Sequence, residues 1–148
     1  LGEMVWERPI KWSPDQQEIA FTDYHNIFIW NLSSGEIVQL GVQTNASSLT
    51  WHPKQPLLLS GGNGTVLWNV STHQPVLTLD RAMYRAIFSP DGTMVCDGAA
   101  IYSSTTFEAI YVLEPAKSSY ASSWSPDGKR IVTVTPAQRL VNIYVLPR

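Results

Sequence analysis

Side chains that could do acid–base or metal chemistry recur in this sequence at turn-like positions. Asp91 and Asp127 stand in identical Ser-Pro-Asp-Gly stretches, and histidines occur at positions 25, 52 and 73. Paired carboxylates can catalyse glycoside hydrolysis, and histidine is a zinc ligand. The histidines have no cysteine partners, however, and equivalent turns of successive units should hold the two carboxylates too far apart to act together. We therefore expect neither a catalytic site nor a metal site.

Two further catalytic motifs can be weighed against the sequence. A G-x-S-x-G nucleophile motif does not occur. The glycine-rich stretch Gly61–Gly64 opens no helical pattern, so it indicates a hairpin and not a phosphate-binding loop. Its Asn-Gly pair favours a tight turn with positive φ. We expect the chain not to be an enzyme and to need no cofactor.

The composition narrows the class of protein and of partner. Charged residues make up 15% of the 148, below the usual quarter, and the net charge is −2. This balance predicts no binding to nucleic acid or to a membrane surface. A single cysteine, Cys96, allows no internal disulfide and, with no signal peptide in the sequence, favours a reducing, cytoplasmic location. The sequons at Asn31, Asn45, Asn63 and Asn69 either mark glycosylation or arise by chance in a turn-rich chain, and we favour chance.

A repeat organises the chain. An aromatic residue precedes a proline-containing turn four times, and the spacings are 39, 37 and 36 residues: Trp12, Trp51, Phe88 and Trp124. Each repeat shows short segments of period two, which predicts strands, and no segment shows a sustained helical period. We predict an all-β chain of four units, at about residues 9–40, 48–79, 84–113 and 120–146, within one domain spanning 1–148. The fourth unit lacks a fourth strand.

The units resemble the blades of a WD-repeat β-propeller, which are four-stranded antiparallel sheets of about forty residues. Trp30-Asn31 and Trp68-Asn69 stand where the family has Trp-Asp, and the Ser-Pro-Asp-Gly turns match those of related propellers. The resemblance covers about residues 9–146 and implies a β-propeller of about four blades. The structural markers that carry it are Trp12, Trp30, Trp51, Trp68, Asp91, Trp124 and Asp127.

The sequence also departs from the family pattern. The family often has a Gly-His pair whose His joins a Ser, an Asp and a Trp in a buried hydrogen-bond network, but no Gly-His occurs here. One unit retains Ser60 and Trp68 and another retains Asp23 and Trp30, so no single unit has the residues for the full network. We therefore expect apolar packing, at about 25 cal/mol per Å² buried, to hold the blades together. Each aromatic before a turn should fill the wedge between two sheets. The first two turns lack the final Gly and should be looser or longer.

Four blades leave ring closure open. The chain could be a segment of a longer propeller, which its start at Leu1 favours slightly. It could be half of an eight-bladed ring completed by a second copy, or it could close alone. Residues 3–6 are a β-prone stretch, and we expect them to act as the missing closing strand in the last two cases.

The resemblance implies a non-catalytic protein-interaction scaffold or sensor, part of a larger protein or assembly and bound to other proteins or domains. Candidate contact residues are those that blade packing does not explain: Tyr24, His25, Tyr84, Arg85, Lys117 and Tyr120. Two alternatives stay open, a propeller hydrolase or lyase with a central-channel site and a small-molecule or glycan-binding propeller. The predicted inner strands supply only Lys11 and Arg85 as charged groups, which is thin support for catalysis.

Overall fold

The computed structural model describes residues 9–23, 25–113, 121–135 and 139–147. Within these ranges the chain is all-β, with fifteen strands in four antiparallel sheets and no helix. The predicted fold class is therefore confirmed. Residues 3–6, the proposed closing strand, lie outside the described residues. No helix in the described part of the chain could cross a membrane.

Each sheet is a simple meander in which neighbours in sequence pair with each other. The first sheet contains β1 (Ile10–Trp12), β2 (Glu18–Thr22), β3 (Asn26–Asn31) and β4 (Ile37–Val42). The second contains β5 (Ser48–Trp51), β6 (Leu57–Gly61), β7 (Thr65–Asn69) and β8 (Gln74–Leu79). The third contains β9 (Ile87–Phe88), β10 (Met94–Cys96), β11 (Ala100–Ser103) and β12 (Ala109–Val112). The fourth contains β13 (Ala121–Trp124), β14 (Arg130–Thr135) and β15 (Leu140–Val145).

The chain divides into two compact units of two sheets each. The first unit contains the first and second sheets, and the second contains the third and fourth sheets together with the turn His52–Gln55. That the whole chain forms one domain with the predicted blade limits stays a prediction. Among the described residues the fourth sheet has three strands, as the sequence predicted.

The core of each unit lies between its two sheets. In the first unit, one face of the first sheet, with Ala20 and Ile29, packs against Leu49, Leu58 and Trp68 of the second. The second unit has a separate cluster, formed by Cys96, Ile101, Leu113 and Ile131. These side chains come from alternate positions of each strand, because the strand period of two directs every second residue to the same face.

The glycine-rich loop after β6 differs from its predicted form. Gly61 pairs with Thr65, but neither Asn63 nor Gly64 has a positive φ. The glycines are needed for close approach instead. A Cβ on Gly61 would lie 1.8 Å from the carbonyl oxygen of Met83, and one on Gly62 would lie 2.2 Å from that of Asn45. The predicted positive-φ turn is therefore wrong, although the hairpin exists.

The first Ser-Pro-Asp turn is as tight as those that end in glycine. The amide of Gln16 donates to the carbonyl of Ser13 at 3.0 Å, and Gly92 and Gly128 make the same bond at 2.9 Å. Gln16 achieves this geometry with a φ of 62°, in the left-handed region. The expectation of a looser first turn is wrong, because the turn keeps its shape and Gln16 is strained instead.

Replacing Gln16 by Gly should raise the free energy of unfolding by about 0.5 to 1 kcal/mol, because glycine adopts a positive φ without steric cost. Urea denaturation at an unchanged m-value would measure the gain. Gln17, whose φ is not positive, provides the control, since Gln17→Gly should be neutral or destabilising. A loss of stability in Gln16→Gly would contradict the assignment of strain.

Candidate functional site

The repeated turn carboxylates bind groups of their own hairpins. Oδ1 of Asp91 accepts hydrogen bonds from Ser89 Oγ at 2.6 Å and from the amide of Thr93 at 3.0 Å. Ser89 Oγ in turn accepts the amide of Met94 at 3.0 Å. Asp15 and Asp127 repeat this arrangement with their own serines, at 2.6 and 2.5 Å. These donors, the serine hydroxyl first, hold the pKa of all three carboxyls below the ordinary 3.8.

The hydrogen bonds to these three carboxylates determine what the turns do. A general acid needs a raised pKa, whereas hydrogen bonds to the ionised form lower it. The three aspartates therefore stay ionised at neutral pH and hold the hairpins closed. The sequence prediction that backbone donors occupy them is confirmed, and the serine hydroxyl is an additional partner.

His52 holds its own turn closed as the aspartates hold theirs, with an imidazole nitrogen in place of a carboxylate oxygen. Its Nδ1 accepts the amides of Lys54 at 3.1 Å and Gln55 at 3.0 Å. Its ring also packs edge-on against Phe88, with 5.1 Å between ring centroids. An imidazole nitrogen accepts only when it carries no proton, so this turn requires the neutral ring. Burial, the largest cause, lowers the pKa of His52 from its ordinary 6.5, although the Gly92 backbone and Asp91 act in the opposite direction.

A buried hydrogen-bond chain crosses the second sheet. Trp68 Nε1 donates to Ser60 Oγ at 2.7 Å, and Ser60 Oγ donates to Gln43 Oε1. The Gln43 amide nitrogen donates to the carbonyl of Gly64 at 2.9 Å. That apolar packing mainly holds the blades together stays a prediction, and in this sheet Gln43, which directly follows β4, adds a buried polar partner for Ser60. Asp23 makes no such chain; it is exposed and caps its own hairpin through the amides of His25 and Asn26.

The candidate contact residues occupy different places. Tyr84 is 51% exposed and its hydroxyl donates to Asn63 Oδ1 at 3.2 Å, so the ring is held while its face remains accessible. Arg85 follows it and is exposed, and His25 is exposed in the β2–β3 connection. Tyr24, Lys117 and Tyr120 lie outside the described residues. The structure thus brings together only Tyr84 and Arg85.

The connection that carries Tyr84 is fixed to the second sheet. Met83 is fully buried, and its carbonyl accepts Ser48 Oγ at 3.0 Å. Thr65 Oγ1 donates to the carbonyl of Arg81 at 2.7 Å. A contact residue on a held segment loses little conformational entropy on binding, which favours Tyr84 as an anchor.

The sequon asparagines act as turn formers where the structure shows their bonds. Oδ1 of Asn31 accepts the amides of Ser33 and Ser34, each at 3.0 Å, and Oδ1 of Asn69 accepts the amide of Thr72 at 3.1 Å. These are the Trp-Asn positions of the repeat. The asparagine therefore shapes the turn between the third and fourth strands of the first and second sheets.

The described residues contain no cluster of His, Cys, Asp and Glu that could hold a metal ion. Cys96 is buried, and burial raises the pKa of its thiol to about 11. A thiol with this pKa carries almost no thiolate at neutral pH, so Cys96 is a poor nucleophile.

Two sheet faces expose large apolar side chains. On the first sheet, Ile10, Trp12 and Trp30 share the face opposite to the buried one. On the fourth, the exposed face contains Val141, Ile143 and Val145 of β15. The prediction that every aromatic before a turn fills a wedge is therefore wrong for Trp12, which is 60% exposed because the neighbouring sheet of its unit covers the other face. Trp51 and Trp124 do pack against clusters.

Comparison with known proteins agrees with this geometry. A WD40 family model (WD domain, G-beta repeat) matches residues 39–69, which run from β4 to the end of β7. The fold is that of a WD-repeat-like β-propeller. A chain of Kuenenia stuttgartiensis hydrazine synthase is similar in structure, with a TM-score of 0.72 at 15% identity. The similarity covers 93% of this chain and 48% of that chain, and at this identity it concerns the fold alone. No curated protein sequence matches the chain.

A WD40 repeat in general suggests a role as a protein-interaction scaffold. The propeller fold itself is shared widely, since 614 chains of solved structures match this one. A function therefore has to be argued from this chain's own surface, because one fold carries many activities.

Gly92 and Gly128 allow a matched test of the turn contacts. Both have positive φ, but a Cβ on Gly92 would lie 2.5 Å from His52 Cε1 and Nε2, whereas one on Gly128 would meet only Pro90 Cδ at 3.7 Å. Gly128→Ala should cost about 1 kcal/mol for the backbone alone. Gly92→Ala should cost about 1 to 3 kcal/mol more because of overpacking. Chemical denaturation would measure both, and equal losses would contradict the His52 contact.

The protonation of His52 should make stability depend on pH. Because the folded-state pKa is depressed, its stabilising contribution is complete above pH 6.5 and is lost as pH falls through the folded pKa. His52→Asn should flatten the stability profile between pH 7 and 5.5, since Asn31 Oδ1 accepts amides at the same spacing without titrating. His73→Asn, at an exposed position, is the control. Parallel slopes in the wild type and His52→Asn would refute the neutral-ring requirement.

Proposed function

We propose that the chain is a non-catalytic protein-interaction module of WD-repeat type that works as part of a larger protein or assembly. The observation that carries the proposal is that the repeated polar side chains and the exposed apolar side chains have different roles. The polar groups that repeat in register bind within their own hairpins, while apolar side chains stay exposed on the outer faces of the first and fourth sheets.

Exposed apolar faces of this extent favour association. A sheet that lies between two other layers buries both of its faces. A contiguous apolar surface that stays exposed marks an interaction site. The face of the fourth sheet supports this reading strongly, because Val141, Ile143 and Val145 are all β-branched and all exposed. Such side chains lose little entropy when a partner packs on them.

The connection between the second and third sheets offers a second kind of surface. Tyr84 and Arg85 are adjacent and exposed, and both residue types are enriched among residues that dominate binding energy. Tyr24, His25, Lys117 and Tyr120, which the sequence predicts in other turns and connections, belong to the same proposal as candidate contact residues. The partner is another protein or another domain of the same protein, and we propose a cytoplasmic setting on the basis of the single cysteine.

The enzymatic alternative has weaker support. Lys11 and Arg85, the charged groups expected on the inner strands, come from different units. The pKa of Glu18 is raised chiefly by burial, and its side chain lies on the second strand of its sheet. These groups do not form a matched acid and base.

Substitution of Tyr84 tests the proposed loop surface. Tyr84→Ala should weaken capture of a partner at least tenfold, because the ring is an exposed anchor on a held segment. Cross-linking mass spectrometry on the complex captured from source-cell extract would identify the partner and its contact residues, and titration would give the affinities. Tyr84→Phe, which keeps the ring, should retain most of the binding.

Gln74→Ala, at an exposed position on the outer strand β8, is the matched control and should bind as the wild type does. Equal binding by the wild type and Tyr84→Ala, with cross-links confined to other surfaces, would reject the loop surface. Turnover of a substrate by the purified chain would reject the non-catalytic assignment.

A further inference from the structure

A tryptophan at the end of a sheet's first strand packs on the preceding sheet in the first unit. Trp51 packs against the cluster that contains Ala20 and Ile29 of the first sheet. Its indole nitrogen Nε1 donates to the carbonyl oxygen of Lys11 at 3.1 Å. Lys11, Ala20 and Ile29 are directly opposite one another on β1, β2 and β3, so together they form one seat for the indole ring.

The second unit repeats this packing. Trp124, the strand-end aromatic of the fourth sheet, packs against the cluster that contains Cys96, Ile101 and Ile87. Ile87, Cys96 and Ile101 are opposite one another on β9, β10 and β11. They therefore hold the positions in the third sheet that form the seat in the first.

The fourth sheet has the same seat, and no tryptophan among the described residues occupies it. The corresponding positions are Ser123, Val132 and Ile143 on β13, β14 and β15. A cavity of about 190 Å³ lies there, lined by residues 123–125 and 130–132 and by Ile143. Ile143 is 67% exposed. Among the described residues this position is therefore open in the fourth sheet, whereas a tryptophan occupies it in the first and third.

The first sheet has the complementary feature. Trp12 ends β1 and pairs with Ile19 as Trp51 pairs with Leu58 and Trp124 with Ile131. It is therefore the equivalent strand-end aromatic, yet it is 60% exposed.

We propose that Trp12 of a second copy of this chain fills the cavity of the fourth sheet and that its indole N–H donates to the carbonyl oxygen of Ser123. Each copy offers one Trp12 and one seat, so two head-to-tail contacts related by a twofold axis close a ring of two chains. This inference deepens the proposed function, because it names the partner of the two exposed apolar faces.

Charge favours the same pairing. Lys129 and Arg130 are exposed beside the cavity, and Arg130 contributes to its lining. Asp15 is exposed three residues after Trp12, and its pKa is lowered, so it is ionised at neutral pH. The ionised Asp127 of the same turn offsets one of these two positive charges and leaves the edge with a net positive charge. When Trp12 enters the cavity, the acidic turn approaches this edge, which favours the correct orientation of the two copies.

Light scattering on the purified chain tests the proposal. The expected mass is twice 16.5 kDa, about 33 kDa. Trp12→Ala and Ile143→Lys should each give the 16.5 kDa monomer, the first by removing the indole and the second by placing a charge in the seat. Trp12→Phe should raise the dissociation constant of the dimer about tenfold, because it keeps an aromatic ring and loses one hydrogen bond.

Matched controls separate the seat from general surface effects. Ile110→Ala removes an exposed apolar side chain from the third sheet, and Val76→Lys places a charge on an exposed strand of the second sheet. Both should remain dimers. Circular dichroism melting would verify folding, and Trp12→Ala should melt cooperatively as a monomer because its side chain is exposed within the chain.

A wild-type monomer, as self-closure or a longer propeller would give, would overturn the proposal, as would open-ended polymers. A dimer that survives Trp12→Ala would also overturn it, because the contact would then lie elsewhere. A wild-type monomer whose Tyr84 surface still binds a partner would reject this dimer and leave the interaction function standing.

Discussion

The packing of a strand-end tryptophan on the seat of the preceding sheet is the interaction on which each unit depends. Sheets of this chain are apolar on both faces, so each must be covered twice. Trp51 covers the first sheet and Trp124 covers the third, and each ring contacts the cluster that forms the core of its unit. The same arrangement explains why the first and fourth sheets each keep one apolar face exposed. The packing within each unit and the association that we propose thus rest on the same kind of contact.

A proline-containing turn directly follows each of the four strand-end aromatics. After Trp12, Phe88 and Trp124 a serine–aspartate bond fixes where the strand ends. Because the carboxylates are held by local donors, their chemistry is used up within the hairpin. The same holds for His52, whose neutral ring accepts two amides where other turns use serine and aspartate. What remains for recognition is the set of loops and the uncovered faces.

Much of the fold could be predicted from the sequence, since strand periodicity and turn composition are local properties. The spacing of Trp12, Trp51, Phe88 and Trp124 indicated four repeated units, and the missing strand of the last unit was visible in the pattern. Packing partners are not local. Gln43, which directly follows β4, meets Ser60 only in the folded chain, and no local pattern in the sequence marks the two residues as partners.

The site was predictable only in part for the same reason. The exposure of Trp12 depends on which face its neighbour covers, and four equivalent aromatics in a sequence do not reveal that one has no seat. The backbone strain at Gln16 could not be predicted from the sequence. The absence of a glycine there suggested a looser turn, whereas the folded chain keeps the tight turn with Gln16 at a positive φ. The acceptor role of His52 depends on the direction of its ring. Tyr84 could be chosen from sequence because connections between sheets lie at the surface.

An isotope-filtered NMR experiment on a mixed sample tests the central claim most directly. One copy would be labelled with ¹⁵N at the tryptophan indoles and the other with ¹³C at the isoleucine methyl groups. The account predicts an intermolecular nuclear Overhauser effect between the Trp12 indole proton and the Ile143 methyl group. The account would be contradicted if this effect were absent from a sample that light scattering shows to be dimeric. It would also be contradicted if the effect appeared only between groups of one uniformly labelled chain.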